Sequence, residues 1–128
     1  MTDDERFAAL LNAEYACIRI ITTEEQEARQ LVGTEFINRA KPLWIWTASD
    51  GVRDGLIEDA RAISDTDHPA AACVYLRSQT WTQGAGVVFL DMAAQLTEPR
   101  TMRELRDLME AVAKARGHVI FIDHGDLP

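Results

Sequence analysis

Two acidic residues stand at the ends of apolar runs, where α/β proteins commonly place their ligand-binding side chains. Asp91 follows Val87–Leu90, and Asp123 follows His118–Ile122. Four apolar residues and an acid form the Walker B pattern, whose carboxylate holds Mg²⁺. If both runs are neighbouring parallel strands, about 4.8 Å apart, the two carboxylates can share one Mg²⁺. The sequence therefore predicts Asp91 and Asp123 as candidate catalytic or metal-binding residues, although such an Asp also commonly caps a turn.

The segment after the first apolar run lacks the glycines of a nucleotide-binding loop. In the pattern GxxxxGK[S/T], backbone N–H groups surround the phosphates and the lysine reaches their oxygens. The sequence contains no such pattern, and Thr22, Thr23, Glu24 and Glu25 occupy this position. Two carboxylates at a helix N-terminus use the dipole that would otherwise attract a phosphate. The segment is therefore predicted not to bind nucleotide.

Three arginines and a tryptophan are candidate contact residues. Arg100, Arg103 and Arg106 recur every third residue in a helical pattern, so they follow one side of the helix. They favour docking to an acidic partner, but a solvated face paired with neighbouring acids (Glu104, Asp107, Glu110) is the alternative. Trp81 lies in a polar stretch, where an exposed indole would mark a contact surface.

The charge balance excludes several classes of partner. Thirteen basic residues against 21 acidic ones give a net charge of −8, which opposes binding to nucleic acid or to an anionic membrane. The acidic N-terminus is not a secretory signal, and no run approaches the length of a membrane helix. Cys17 and Cys73 lie among apolar residues and are expected to be buried, reduced thiols. We expect a cytoplasmic protein with one domain over residues 1–128.

Four apolar runs predict the strands that position these residues. They are nearly continuous, which is typical of strands buried on both faces of a parallel sheet. Helical patterns alternate with them, so the sequence predicts an α/β fold, a three-layer α/β/α sandwich with a four-stranded parallel sheet. The runs are Cys17–Thr22, Leu43–Thr47, Val87–Leu90 and His118–Ile122.

Capping signals predict where the helices begin. Thr2 with Glu5, Thr23 with Gln26 and Thr101 with Glu104 each match a capping box. A short helix is expected over residues 56–63, and Pro69 is expected to begin a helix that ends at Arg77. In the last helix, one apolar stripe is expected to face the sheet: Met102, Leu105, Leu108, Met109 and Val112.

The order of these segments resembles a known family, the N-terminal domains of AAA ATPases of the conserved cyanobacterial and plastid open-reading-frame type. The resemblance covers nearly the whole chain. The matching stretches are Ala16–Glu25, Lys41–Ser49 with Gly51, Val87–Asp91, Leu96–Leu105, and the closing strand with Asp126–Pro128. It implies a degenerate P-loop NTPase-like fold with strand order second, third, fourth, first, in which Thr22–Glu25 is a vestigial loop. The sequence departs from the family pattern at Met92–Ala93, where family members tend to have an aromatic residue and a histidine.

Two functions are consistent with these observations. The first is a non-catalytic interaction or regulatory domain that binds an AAA module or a second copy of itself and needs no cofactor. The alternative is a Mg²⁺-dependent nucleotide-binding domain or hydrolase that uses Asp91 and Asp123, with Asp50 as a further candidate. The vestigial loop favours the first.

Overall fold

The computed structural model describes residues 1–124 and contains one mixed five-stranded sheet between helices. The elements are α1 (Asp3–Asn12), β1 (Cys17–Ile21), α2 (Glu25–Arg39), β2 (Leu43–Thr47), β3 (Gly51–Asp54), α3 (Pro69–Arg77), β4 (Gly86–Leu90), a 3₁₀ turn (Met92–Gln95), α4 (Pro99–Lys114) and β5 (His118–Asp123). The predicted α/β class is confirmed. The stretch Asp126–Pro128 of the family resemblance lies outside the described residues.

The sheet has the order β1-β5-β4-β2-β3. β1, β5, β4 and β2 are mutually parallel neighbours, whereas β3 pairs antiparallel with β2 at the far edge. The four predicted strands follow the predicted order, second, third, fourth, first (β2, β4, β5, β1). The predicted four-stranded, all-parallel sheet is nevertheless not matched, because β3 adds a fifth, antiparallel strand. The turn before β3 needs Gly51, whose φ of 86° is readily adopted by glycine.

Each face of the sheet has its own apolar core. On one face α1 and α2 pack against alternate residues of the central strands, including Val88 and Ile120. On the other face α3 and α4 pack against Val87 and Phe89. β4 is buried along its whole length, as its apolar run predicts. β1 is not buried on both faces, because it is an edge strand, and Ile21 is 60% exposed.

Several predicted helix boundaries are wrong. The Thr2–Glu5 capping box forms, but α2 begins after Glu24 and α4 after Glu98, and neither residue makes a side-chain cap. Thr101 is instead buried inside α4, where Pro99 already provides a preorganised first turn. Among the predicted stripe residues, Met102 is 47% exposed because it lies on the outer side of the helix.

Residues 56–63 form turns and irregular structure, not the short helix that their apolar spacing suggested. The buried Thr66 ties the segment between β3 and α3 to the sheet. Its hydroxyl accepts a hydrogen bond from the Val52 N–H (2.8 Å) and donates to the Ile63 carbonyl (2.7 Å). Its carbonyl accepts from the Trp46 indole at 2.9 Å. These tertiary bonds outweigh a weak local preference for helix. Pro69 does begin α3, as predicted.

Candidate functional site

Asp91, the Walker B-like acid, follows β4 in a left-handed backbone conformation with φ of 56°. Asp adopts this region more readily than most residues. Its N–H donates to the Ile122 carbonyl at 3.0 Å, which ties the turn to β5. The carboxylate makes no cap hydrogen bond with the 3₁₀ turn and is about half exposed. It is therefore available to a partner or ligand at the carboxyl edge of the sheet.

Glu25 and His124 join Asp91 at this edge. Nε2 of His124 lies 3.5 Å from Oδ1 of Asp91 and 3.9 Å from Oε1 of Glu25. One ligand atom from each of the three residues lies within 4.8 Å of the other two. They meet because β5 lies between β1 and β4 and all three strands run in the same direction. Glu25, His124 and Asp91 each come shortly after the end of one of these strands. A protonated His124 can pair with both carboxylates, and a neutral one offers a nitrogen ligand.

Asp123 lies outside this cluster. It is buried, its Oδ2 accepts a hydrogen bond from Nε of Arg19 at 3.0 Å, and its Oδ1 accepts from the Ala93 N–H at 3.3 Å. The carboxylate thus connects β1, β5 and the 3₁₀ turn. Asp123 is not one of the three clustered residues, and a metal ion shared by Asp91 and Asp123 stays a prediction. Asp50 is also engaged, since its Oδ2 lies 3.7 Å from Nη2 of Arg53.

The segment Thr22–Glu25 contains one local hydrogen bond, in which the hydroxyl of Thr22 accepts from the Glu24 N–H at 2.9 Å. The first turn of α2 then carries Glu25 and Glu27. Hydrogen bonding to Glu24 and its negative charge raise the pKa of Glu27 above its usual value. The N-terminus of α2 is therefore a site of crowded negative charge, as the sequence predicts, and this charge opposes a phosphate group.

The α4 arginines (Arg100, Arg103 and Arg106) are all exposed, and within residues 1–124 none of them has a carboxylate within ion-pair distance. The alternative interpretation had paired them with acids of their own helix. Two of those acids, Glu104 and Asp107, instead contact Arg77 of α3, at 3.3 Å and 3.1 Å. The exposed side of α4 therefore presents three guanidinium groups that are not paired with any carboxylate of residues 1–124.

Trp81, the other candidate contact residue, packs inward. Its ring lies 4.8 Å from the ring of Trp44, and its indole N–H donates to the Leu76 carbonyl at 2.9 Å. It is half-buried beside the core between α3, α4 and the sheet. A polar sequence neighbourhood suggested exposure, but the satisfied N–H and the ring contact indicate a structural role.

Comparison with known proteins identifies one family. The family model of the N-terminal domain of SpoVK-like AAA ATPases matches residues 3–128. No curated protein and no solved structure matches the chain. The resemblance to an AAA ATPase N-terminal domain is thus supported, whereas the closer likeness to the cyanobacterial and plastid type stays a prediction. Among residues 1–124, no helix combines the length and apolar composition needed to cross a membrane.

Proposed function

Because the chain belongs to the family of SpoVK-like AAA ATPase N-terminal domains, we propose that it is a non-catalytic docking domain that binds a protein partner through α4. The binding surface is the α4 arginine face, defined as Arg100, Arg103 and Arg106. The observation that carries the proposal is that these three exposed guanidinium groups have no carboxylate partner within residues 1–124, although the protein has a net charge of −8.

The α4 arginine face is presented on a rigid support. Leu105, Leu108 and Val112 are buried on the opposite side of the helix, against the sheet. Arg77 fixes the flank of α4 that faces α3 through Glu104 and Asp107. A charged face that is held in one orientation gives oriented association, since complementary charges steer the encounter and set the register.

The partner that fits this face is an acidic surface of an AAA module. Membership of a family of AAA ATPase N-terminal domains supports an AAA module as the partner, and the arginines define the surface of this domain that would take part. A second copy of the chain is the other candidate, because the first turn of α1 carries Asp3, Asp4 and Glu5, all exposed. Both partners would use charge-assisted contacts between guanidinium and carboxylate groups.

The β1–α2 segment supports a function without nucleotide chemistry. Where a phosphate-binding loop would present N–H groups, this chain presents Glu24, Glu25 and Glu27. We expect ATP·Mg to bind no tighter than about millimolar, which corresponds to roughly −4 kcal/mol. Calorimetric titration with ATP·Mg tests this expectation, and micromolar binding that is lost in Asp91→Asn would instead support an enzyme.

The docking proposal is tested by charge reversal on α4. We expect Arg103→Glu/Arg106→Glu to slow association with an immobilised AAA module from a protein of the same family by about tenfold at low salt, and by less at high salt. Arg61→Glu/Arg116→Glu makes the same change of charge at exposed positions away from this face and should leave the rate nearly unchanged. Equal rates for both double variants would refute the proposal. Sedimentation of the isolated domain reports whether a second copy is the partner instead.

A divalent-metal site is the second candidate function, and the cluster of Glu25, Asp91 and His124 favours it. Magnesium does not fit this set well, because it prefers oxygen ligands and usually retains several waters. One imidazole and two carboxylates suit Zn²⁺ or Mn²⁺ better. Calorimetric titrations with Mg²⁺, Mn²⁺ and Zn²⁺, repeated on His124→Ala and Asp91→Asn, distinguish these cases. Binding that neither substitution weakens would place the metal elsewhere.

A further inference from the structure

β1 is an open edge of the sheet. In the described part of the chain, β1 pairs with β5 alone, and the hydrogen bonds at its two ends use the Ala16 carbonyl and the Thr22 N–H. Alternate residues of a parallel strand bond to opposite sides. Cys17, Arg19 and Ile21 therefore direct their N–H and carbonyl groups away from β5, and nothing within residues 1–124 bonds to them.

The edge also lacks the usual protection against further pairing. Natural edge strands are commonly blocked by a proline, a bulge or a charge that points outward. β1 has no proline, and its one charged side chain, Arg19, is 55% exposed but turns toward the neighbouring strand, where its Nε lies 3.0 Å from Oδ2 of Asp123. Ile21 is 60% exposed. The backbone groups of β1 are thus accessible, and they are flanked by apolar side chains.

A groove beside this edge can hold the side chains of an added strand. It has a volume of about 710 Å³ and lies between α1, α2 and β1. Apolar residues of all three elements line it, among them Phe7, Leu10, Ile18, Ala28 and Leu31. Since side chains of a strand alternate between its two faces, every second residue of an added strand would enter the groove.

The groove is acidic at the end where β1 stops. α1 leads back to the start of β1 and α2 begins just after its end, so the first turns of both helices lie near Ile21. Asp3, Asp4, Glu24 and Glu27 line the groove there. Arg6 and Arg19 also line the groove, and Arg19 is paired with Asp123 while its side chain stays 55% exposed. This acidic end favours a segment with basic residues.

A second copy of β1 fits the edge less well. Antiparallel self-pairing of this five-residue strand about its centre would place Arg19 opposite the same residue of the other copy. Like charges directly opposite one another destabilise a strand pair. The edge therefore favours a different chain over self-association.

We propose that the β1 edge binds an extended segment of another protein, with alternating apolar residues and with Lys or Arg beside the acidic end, as a sixth strand. The added strand runs antiparallel to β1, because antiparallel pairing is the more stable. Its backbone bonds to Cys17, Arg19 and Ile21, its apolar side chains fill the groove, and its N-terminal basic residues meet the carboxylates near Ile21. This surface is separate from the α4 arginine face.

The experiment uses the chain with the synthetic peptide acetyl-KRKVTVTV-amide. We expect hydrogen exchange of the Arg19 and Ile21 amides, followed by NMR, to slow by about tenfold on binding, since one hydrogen bond per amide is gained. The Ile20 and Thr22 amides already face β5 and serve as internal controls. The peptide methylated on alternate backbone nitrogens should not protect these amides. Equal binding of both peptides, or no protection at millimolar peptide, would overturn the proposal.

The charge requirement is tested separately. The acidic peptide acetyl-EDEVTVTV-amide and the variant Glu24→Gln/Glu27→Gln should each weaken binding several-fold, whereas Glu58→Gln/Asp59→Asn, at exposed positions outside the groove, should not. Equal affinity for the basic and acidic peptides would refute a basic partner. Self-association that Ile21→Pro abolishes would identify a second copy as the occupant and would also overturn the proposal.

Discussion

Arg77 on α3 and Asp107 on α4 join the two helices that cover one face of the sheet, with Nη1 3.1 Å from Oδ2. The same guanidinium group lies 3.3 Å from Oε2 of Glu104. Arg77 thus compensates the two carboxylates that stand nearest the α4 arginines along the helix. Among residues 1–124, the α4 arginines therefore have no carboxylate partner, whereas Arg77 has two.

Charge reversal at Arg77 should therefore destabilise the fold more than the same change at Arg103. Arg77→Glu replaces two ion pairs by a repulsion between carboxylates, and we expect the free energy of unfolding to fall by about 1–2 kcal/mol. Arg103→Glu changes an exposed position and should cost less than about 0.5 kcal/mol. Urea unfolding measures both. Equal losses would show that Arg77 does not have the structural role that its contacts indicate.

Two glycines should respond oppositely to alanine. A Cβ on Gly86 would lie 2.5 Å from Cζ of Phe36, whose side chain is fully buried and cannot move aside. Gly86→Ala should therefore cost about 1–3 kcal/mol. A Cβ on Gly33, inside α2, would meet nothing within 4 Å, so Gly33→Ala should stabilise the protein by about 0.5–1 kcal/mol. Thermal unfolding of the two variants checks both signs. A stabilised Gly86→Ala would mean that β4 and α2 are packed less closely than the structure shows.

Local patterns predicted the strands better than the site. The four apolar runs correspond to β1, β2, β4 and β5, because a buried strand must be apolar whatever its neighbours are. β3 was missed because a four-residue edge strand needs few apolar residues. Its first residue, Gly51, belongs to the Ser49–Gly51 stretch, whose composition is typical of a turn. The helix over 56–63 was wrong because Thr66 makes tertiary hydrogen bonds that no periodicity reveals.

Predicting the residues of the candidate site requires knowing which strands are neighbours. Asp91 was found because it follows an apolar run, but its proximity to His124 and Glu25 follows from the order β1-β5-β4. With that order, the residues after three adjacent strands must meet, so the cluster could have been inferred from topology. The role of Asp123 could not have been inferred from topology. It depends on the hydrogen bond that Arg19 of β1 donates to Asp123 of β5.

The two cysteines should differ in reactivity. Cys17 is exposed, contrary to the sequence prediction, whereas Cys73 is fully buried. Burial, reinforced by the charge of Glu104, raises the pKa of Cys73 to about 12. Partial burial also raises the pKa of Cys17, so its reaction is expected to be slower than that of a free thiol.

We expect a thiol reagent at about pH 8 to modify Cys17 alone in the native protein and both cysteines in denaturant. Mass spectrometry of the labelled peptides identifies the site, and Cys17→Ser is the control that should abolish native labelling. Rapid native labelling of Cys73 would show that the core between α3, α4 and the sheet opens readily.

The titration of Glu27 should depend on its neighbour Glu24. The pKa of Glu27 is raised by hydrogen bonding to Glu24 and by the charge of Glu24. In the unfolded chain Glu27 returns to its ordinary pKa of about 4.3, so the unfolded state loses its proton first as the pH rises. The contribution of this group to stability is therefore present below that value and is lost as the pH rises through the folded pKa. Glu24→Gln should lower the pKa of Glu27 in an NMR titration of the side-chain carboxyl carbons, and Glu58→Gln, at a distant exposed position, should not. An unchanged Glu27 titration in Glu24→Gln would mean that the two carboxyl groups do not interact.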